Sequence, residues 1–238
     1  AVVGNPPYIK SDNIPDQDEF REHLKEYNPD GNKVPEYYQG TKKLGKNTDA
    51  YIYFITNAVR YLEDEGRLGV IVPSKWMETK YGEDFQQFLF DNVKIQGIVS
   101  FNNRLFEDAL VDTSLLLFEK CSDESERNTN IVDFMKVTGD MNPEDIVNEI
   151  EYSIEIDEEY MIESLDKYSI TSIKQNSLKH KNKWTYLYNA PPQLIELIEK
   201  EGLKKLSTFA NLSRGTNTGS VSFFFIDKEK AKELSIEK

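Results

Sequence analysis

Apolar residues recur at helical spacing from Thr48 to Glu65, where Tyr51, Ile55, Ala58 and Leu62 fall on one face, widened by Ile52 and Val59. Thr48 stands where an N-cap belongs and Gly66 where the helix should stop. The period then changes. Leu68-Gly69-Val70-Ile71-Val72-Pro73 is apolar on both faces, as a buried strand is. A second helix is predicted from Gly82 to Asp91, burying Phe85, Phe88 and Leu89. Ile95 to Phe101, Thr113 to Phe118 and Ile131 to Val137 read as further strands, and Ala1-Val2-Val3-Gly4 as the end of another. Strands alternating with helices predict an α/β domain with a largely parallel sheet and room for an antiparallel final strand. Catalytic loops in such sheets sit at the carboxyl ends of strands, and Asn5 to Tyr8 falls at such an end.

The segments between these elements are polar. Ile9 to Asn47, punctuated by Pro15, Pro29, Gly31, Pro35, Gly40 and Gly45, reads as a long loop with one short helix around Asp18 to Tyr27. A loop this long points to a lid or a substrate-binding role. Gly139 to Lys183 is acidic and mixed, with short elements expected and a solvated stretch from Glu151 to Asp166. Gln193 to Lys200 reads as helix, and Leu206 to Ile226 as a turn-rich entry to a second domain. The expected organisation is residues 1–137, a connecting region over 138–205, and the start of a further domain over 206–238.

Composition narrows the class. The chain has 238 residues, 38% hydrophobic and 30% charged, which suits a soluble globular protein. No apolar run approaches the ~20 residues of a membrane span. With no secretory signal pattern, no membrane partner and a cytoplasmic location are expected. An opening strand without an initiator Met predicts a piece of a longer protein. Cys121 is the single cysteine, so no intrachain disulfide forms, and with only His23 and His180 beside it no standard zinc cluster is expected, nor any other metal. The net charge of −13 argues against a simple basic DNA-binding module. It leaves a nucleic-acid enzyme open, since the local field matters more than the sum. Lys42, Lys43 and Lys46 and the later lysine clusters read as solvated faces.

Asn5-Pro6-Pro7-Tyr8 carries the candidate chemistry. An amino group on an aromatic ring or an amide is a poor nucleophile, because its lone pair is delocalised. The Asn5 side-chain oxygen and the Pro6 carbonyl can each accept one of its N–H groups and so stabilise the positive charge that grows on nitrogen during attack. Two prolines stiffen the turn, placing the acceptors in advance. Tyr8 offers a flat face for stacking. No strong general base is needed when the methyl donor is a sulfonium. The competing reading is an ordinary Asn-Pro turn that closes a strand.

The order of these features resembles the catalytic part of a γ-class adenine-N6 DNA methyltransferase, most like the fused type IIG restriction–modification enzymes. Asn5-Pro6-Pro7-Tyr8 resembles the family's catalytic motif. Asp49-Ala50-Tyr51 with Phe54 is similar to the start of the next helix, and Gly66 to Ser74 to the next strand and its loop. Phe106-Glu107-Asp108-Ala109 before Thr113-Ser114-Leu115 resembles the segment that supplies a second aromatic to the target base. Ser213 to Gly219 with Phe223 to Ile226 resembles the entry to a target-recognition domain. The resemblance is strongest over Ala1 to Lys120.

The resemblance implies the C-terminal half of a Rossmann-like methyltransferase sheet over residues 1–137, followed by the start of a truncated target-recognition domain over 206–238. It implies S-adenosylmethionine as cofactor, duplex DNA as partner and a fused or associated endonuclease. Asn5 and the Pro6 carbonyl would hold N6 of a flipped adenine, with Tyr8 and Phe106 stacked on it. The family's glycine-rich cofactor loop lies before the catalytic motif, and Gly66 to Gly69 does not replace it, so the chain is expected to bind the cofactor weakly or not at all and to be inactive alone. Two alternatives stay open. The same tetrapeptide occurs in enzymes that methylate glutamine amides in proteins or guanine amines in RNA. A non-catalytic DNA-specificity or scaffolding subunit could also keep the fold.

Overall fold

Alternate residues of the first long strand face opposite ways: Leu68, Val70 and Val72 are buried, while Gly69 and Ile71 are half-buried. That alternation separates the two faces of a seven-stranded sheet. A computed structural model describes residues 1–16, 18, 44, 47–102, 112–156, 159–163, 167–178, 183–191, 194, 195, 197, 204, 206–211, 213, 215 and 227–235. They fall in two compact units, residues 1–196 and 197–238.

In the first unit β1 (Val2–Gly4) leads through a long excursion to α1 (Ala50–Tyr61) and β2 (Arg67–Pro73). A short 3-10 turn, Ser74–Met77, and α2 (Lys80–Asn92) precede β3 (Val93–Phe101) and β4 (Thr113–Lys120). Then come α3 (Glu124–Thr129), β5 (Ile131–Val137), α4 (Pro143–Ile156), β6 (Tyr160–Glu163), β7 (Tyr168–Lys174), α5 (Gln175–Leu178) and α6 (Tyr186–Asn189). The strand order is β1-β2-β4-β3-β5-β7-β6. The pairs β1–β2 and β3–β5 are parallel and the rest antiparallel, so β4 and β7 oppose the other five strands. The expected α/β class is met by this mixed sheet. The antiparallel strand at Thr113 is inserted between β2 and β3, and the sheet continues past Val137 through β7 and β6.

The core lies on both faces. Tyr51, Ile52, Ile55 and Val59 of α1 and Phe85 and Leu89 of α2 pack with Val70, Val72, Ile95 and Phe118 on one face. A smaller cluster on α4, β3, β5 and β7 joins Val99, Met135, Ile146, Ile150 and Ile170. Helix α1 stops at Tyr61, four residues before the predicted end. Glu65 turns into the left-handed region with φ 66°. Its N–H donates to the Lys120 carbonyl at 2.8 Å, and the Lys120 N–H donates to Gly66 at 2.8 Å. Pairing with the end of β4 replaces the last helical turn. The N-cap is Asp49, one residue after the expected Thr48.

Helix α2 begins two residues before the predicted Gly82 and rests on the turn that follows β2. A Cβ on Gly82 would fall 1.7 Å from the Trp76 carbonyl oxygen, so this approach requires glycine. Trp76 is fully buried against Phe85, with ring centroids 4.9 Å apart, and against Trp184 at 5.4 Å. In the second unit the described residues include a 3-10 turn, Leu206–Thr208, and α7 (Lys228–Glu233), capped by the Asp227 side chain. The helices expected around Asp18 to Tyr27 and Gln193 to Lys200, and the segment up to Ile226, lie largely outside the described residues. His23, His180 and the Lys42, Lys43 and Lys46 cluster lie outside them altogether. Among the described residues no helix is long and apolar enough to cross a membrane, and no cluster of His, Cys, Asp and Glu is placed to hold a metal ion.

Candidate active site at the strand ends

Because β1, β2, β3 and β5 run the same way, their carboxyl ends at Gly4, Pro73, Phe101 and Val137 share one rim of the sheet. Antiparallel β4 begins at that rim with Thr113. A cavity of ≈ 790 Å³ opens there, walled by Tyr8, Ser74, Asn102, Asp112 and Lys136, one from each strand end. This is where ligands bind in open α/β sheets, and the volume falls in the range of small-molecule sites.

Of the candidate tetrapeptide Asn5-Pro6-Pro7-Tyr8, the structure brings Tyr8 into the cavity wall. Tyr8 is half-buried, and its hydroxyl donates to the Ile71 carbonyl at 3.2 Å. Burial pushes the Tyr8 hydroxyl pKa above its usual value, so it stays a neutral donor. Asn5 sits at the end of β1, exposed and outside the cavity lining, as does Pro7, while Pro6 is half-buried. The Asn5 side chain makes no hydrogen bond among the described residues, which leaves its oxygen open to an incoming N–H. Phe106 lies outside the described residues.

A network behind Tyr8 fastens the strand-end loop. The Asp49 carboxylate accepts from the Ser11 N–H at 2.9 Å and from the Tyr81 hydroxyl at 3.0 Å. The Tyr81 and Tyr51 hydroxyls meet at 3.3 Å. Tyr51 is fully buried and its pKa is driven far up, first by burial and then by Tyr81 and Asp49. Burial likewise raises Tyr81.

The opposite wall is tied to β2 and β4. Ser74 and Ser114 share a buried hydroxyl contact of 2.8 Å, and the Ser74 N–H donates to Asp112 at 2.8 Å. Tyr188 lines this wall with its pKa raised, chiefly by burial, with the hydrogen bond to Ser74 opposing. Lys136 donates to the Asn189 side chain at 3.0 Å, and Thr185 to Glu78 at 2.5 Å. Tyr81, Tyr188 and Asn189 line the cavity but stand on no predicted apolar face, so no local pattern in the sequence marks them. Lys136 carried one local signal, a charge one residue before the end of an apolar strand.

Residues 1–106 match a family described as Eco57I restriction-modification methylase. The type II methyltransferase M.AccI of Acinetobacter calcoaceticus is 26% identical over 244 residues, covering 100% of this chain and 38% of the relative. The type II restriction enzyme and methyltransferase RM.Eco57I of Escherichia coli is 27% identical over 137 residues, 57% of this chain and 12% of the relative. The fold is found again in the type IIG restriction endonuclease BpuSI, with a TM-score of 0.55 and 16% identity over 98% of this chain and 27% of that one. The chain therefore spans well under half the length of these proteins.

Proposed function

We propose that this chain, whose residues 1–106 match the family described as Eco57I restriction-modification methylase, is the catalytic part of an adenine-N6 DNA methyltransferase. One observation carries the reading: Asn5-Pro6-Pro7-Tyr8 leaves the carboxyl end of β1 at the rim of the sheet, with Tyr8 in the wall of the ≈ 790 Å³ cavity. The Asn5 oxygen and the Pro6 carbonyl accept the two N–H groups of the target amine and stabilise the charge that grows on nitrogen. The Tyr8 ring stacks on the base, its position held through Ile71. The base reaches the rim by flipping out of the duplex, at a cost of a few kcal/mol recovered in the pocket.

S-adenosylmethionine is the methyl donor in this reading, and when bound it supplies an electrophilic methyl group. In this reading Asn5 and Pro6 take the amine-accepting side of the transfer. Gly66 precedes β2, and Gly69 lies within it with room for a Cβ at 3.5 Å from Leu117, so neither opens a loop after a strand. Residues 197–238 form a unit of their own, which supports reading 206–238 as part of a target-recognition domain. The double name of RM.Eco57I supports an endonuclease, fused or associated, as a partner.

The test uses the protein in its full length: transfer of labelled methyl from S-adenosylmethionine to mixed-sequence duplex DNA, beside Asn5→Ala. The expected product is N6-methyladenine, reduced about 10²–10³-fold in Asn5→Ala. Label on a glutamine amide or on RNA, with none on DNA, overturns the reading.

A further inference from the structure

Asp49 occupies the N-cap of α1, yet its carboxylate makes no capping bond to its own helix. An N-cap aspartate ordinarily accepts an N–H two or three residues on. Here one oxygen accepts from the Ser11 N–H at 2.9 Å and the other from the Tyr81 hydroxyl at 3.0 Å. Both partners are remote, 38 residues before and 32 after. Beside this pair the Ala50 N–H donates to the Ile9 carbonyl at 3.0 Å. Tyr8 thus lies between two anchors: its hydroxyl is held by Ile71 on β2, and the chain that follows it is held by Asp49 and Ala50 at the start of α1.

We propose that Asp49 is a positioning residue for the transfer described above, on which this inference rests: its carboxylate clamps Ile9–Ser11 against α1 and so holds Tyr8 at the cavity rim. A charged acceptor grips a backbone N–H more firmly than a neutral one. Tyr81 uses the second oxygen and fixes the carboxylate's orientation, with Tyr51 behind it. Tyr8, Ser11, Asp49, Tyr51 and Tyr81 all face the same cavity, so the clamp lies within the wall it organises.

Three variants of the full-length protein separate the clamp from simple helix capping. Serine caps a helix as well as aspartate does but is too short to span both partners. Asp49→Asn keeps an acceptor oxygen for Ser11. Asp49→Ser and Asp49→Ala are expected to slow single-turnover methyl transfer about 10–100-fold, with the Kd for DNA within about threefold of wild type, because small misplacement of reacting groups costs rate more than binding. Asp49→Asn should recover most of the rate. Hydrogen exchange at the Ser11 amide should accelerate about 10–100-fold in Asp49→Ser while the interior of α1 stays protected. Asp49→Ser matching wild type in both rate and Ser11 protection overturns the proposal. A wild-type protein that transfers no methyl to DNA refutes the methyltransferase reading, and Ser11 exchange then decides the clamp alone: a Ser11 amide no better protected in wild type than in Asp49→Ala overturns it.

Discussion

The Tyr8 hydroxyl donates to the Ile71 carbonyl one residue beyond the last β1–β2 pair, Gly4 with Val70. Where β1 stops pairing, a side chain of the turn that follows it takes over an acceptor of β2. The turn therefore leaves the sheet at a set angle, with its aromatic ring on the cavity side.

Tyr8→Phe keeps the ring and removes this anchor. A single net hydrogen bond is worth about 1 kcal/mol, so methyl transfer should fall by roughly tenfold or less. Tyr8→Ala also removes stacking, about 1–3 kcal/mol per base, and should fall well below Tyr8→Phe. Single-turnover rates on one duplex compare the two. Equal rates would place the ring's contribution elsewhere.

Gly82→Ala should destabilise the protein by about 3 kcal/mol, since the new Cβ meets the Trp76 carbonyl at 1.7 Å and helix α2 must shift. Thermal unfolding should show a Tm lower by roughly 6–12 °C. Gly4→Ala is the control: nothing lies within 4 Å of its Cβ position, and stability should stay within about 0.5 kcal/mol.

Trp76 and Trp184 are the two tryptophans of the chain, and both are fully buried. Trp184 packs edge-on to Trp76, Phe90 and Phe134, and its backbone N–H donates to Met77 at 3.0 Å. It roots the segment that carries Thr185, Tyr188 and Asn189 to the cavity. Trp184→Ala should cost about 3–5 kcal/mol in chemical denaturation. In the native protein, intrinsic emission should be blue-shifted and move to the red on unfolding.

Asp133 is fully buried in β5, with one oxygen accepting from Ser153 at 2.6 Å and Ser172 at 2.5 Å and the other without a partner. Burial pushes its pKa from 3.8 up to about 6, against the two serine bonds. Between these values the folded protein keeps a proton that the unfolded chain releases. Asp133 therefore lowers stability as pH rises through that window, by about 3 kcal/mol in all, and the cost persists above it. Asp133→Asn keeps the serine bonds and cannot titrate. The stability of the variant relative to wild type should thus rise by about 3 kcal/mol between about pH 3 and about pH 7, read from urea unfolding at each pH. A pH-independent difference would show that Asp133 is ionised in the fold at both values.

The sequence alone determined most of the elements and the position of the candidate tetrapeptide behind a strand. Strands at Leu68–Pro73, Ile95–Phe101, Thr113–Phe118 and Ile131–Val137, and the helix faces of Tyr51–Val59 and Phe85–Leu89, were legible because burial on one or both faces imposes its period on neighbouring residues. The position of Asn5–Tyr8 at a strand end followed from the apolar run before it. Tertiary structure alone decided that β4 lies between β2 and β3, that the sheet extends through β7 and β6, and that α1 ends at Tyr61 in favour of Lys120. It also decided that Asp49 gives up its own helix for Ser11 and Tyr81, and that an acid in an apolar strand, Asp133, meets serines from α4 and β7. These choices depend on pairings between residues far apart in the chain, and local periodicity holds no record of which partner a buried face or a carboxylate will meet.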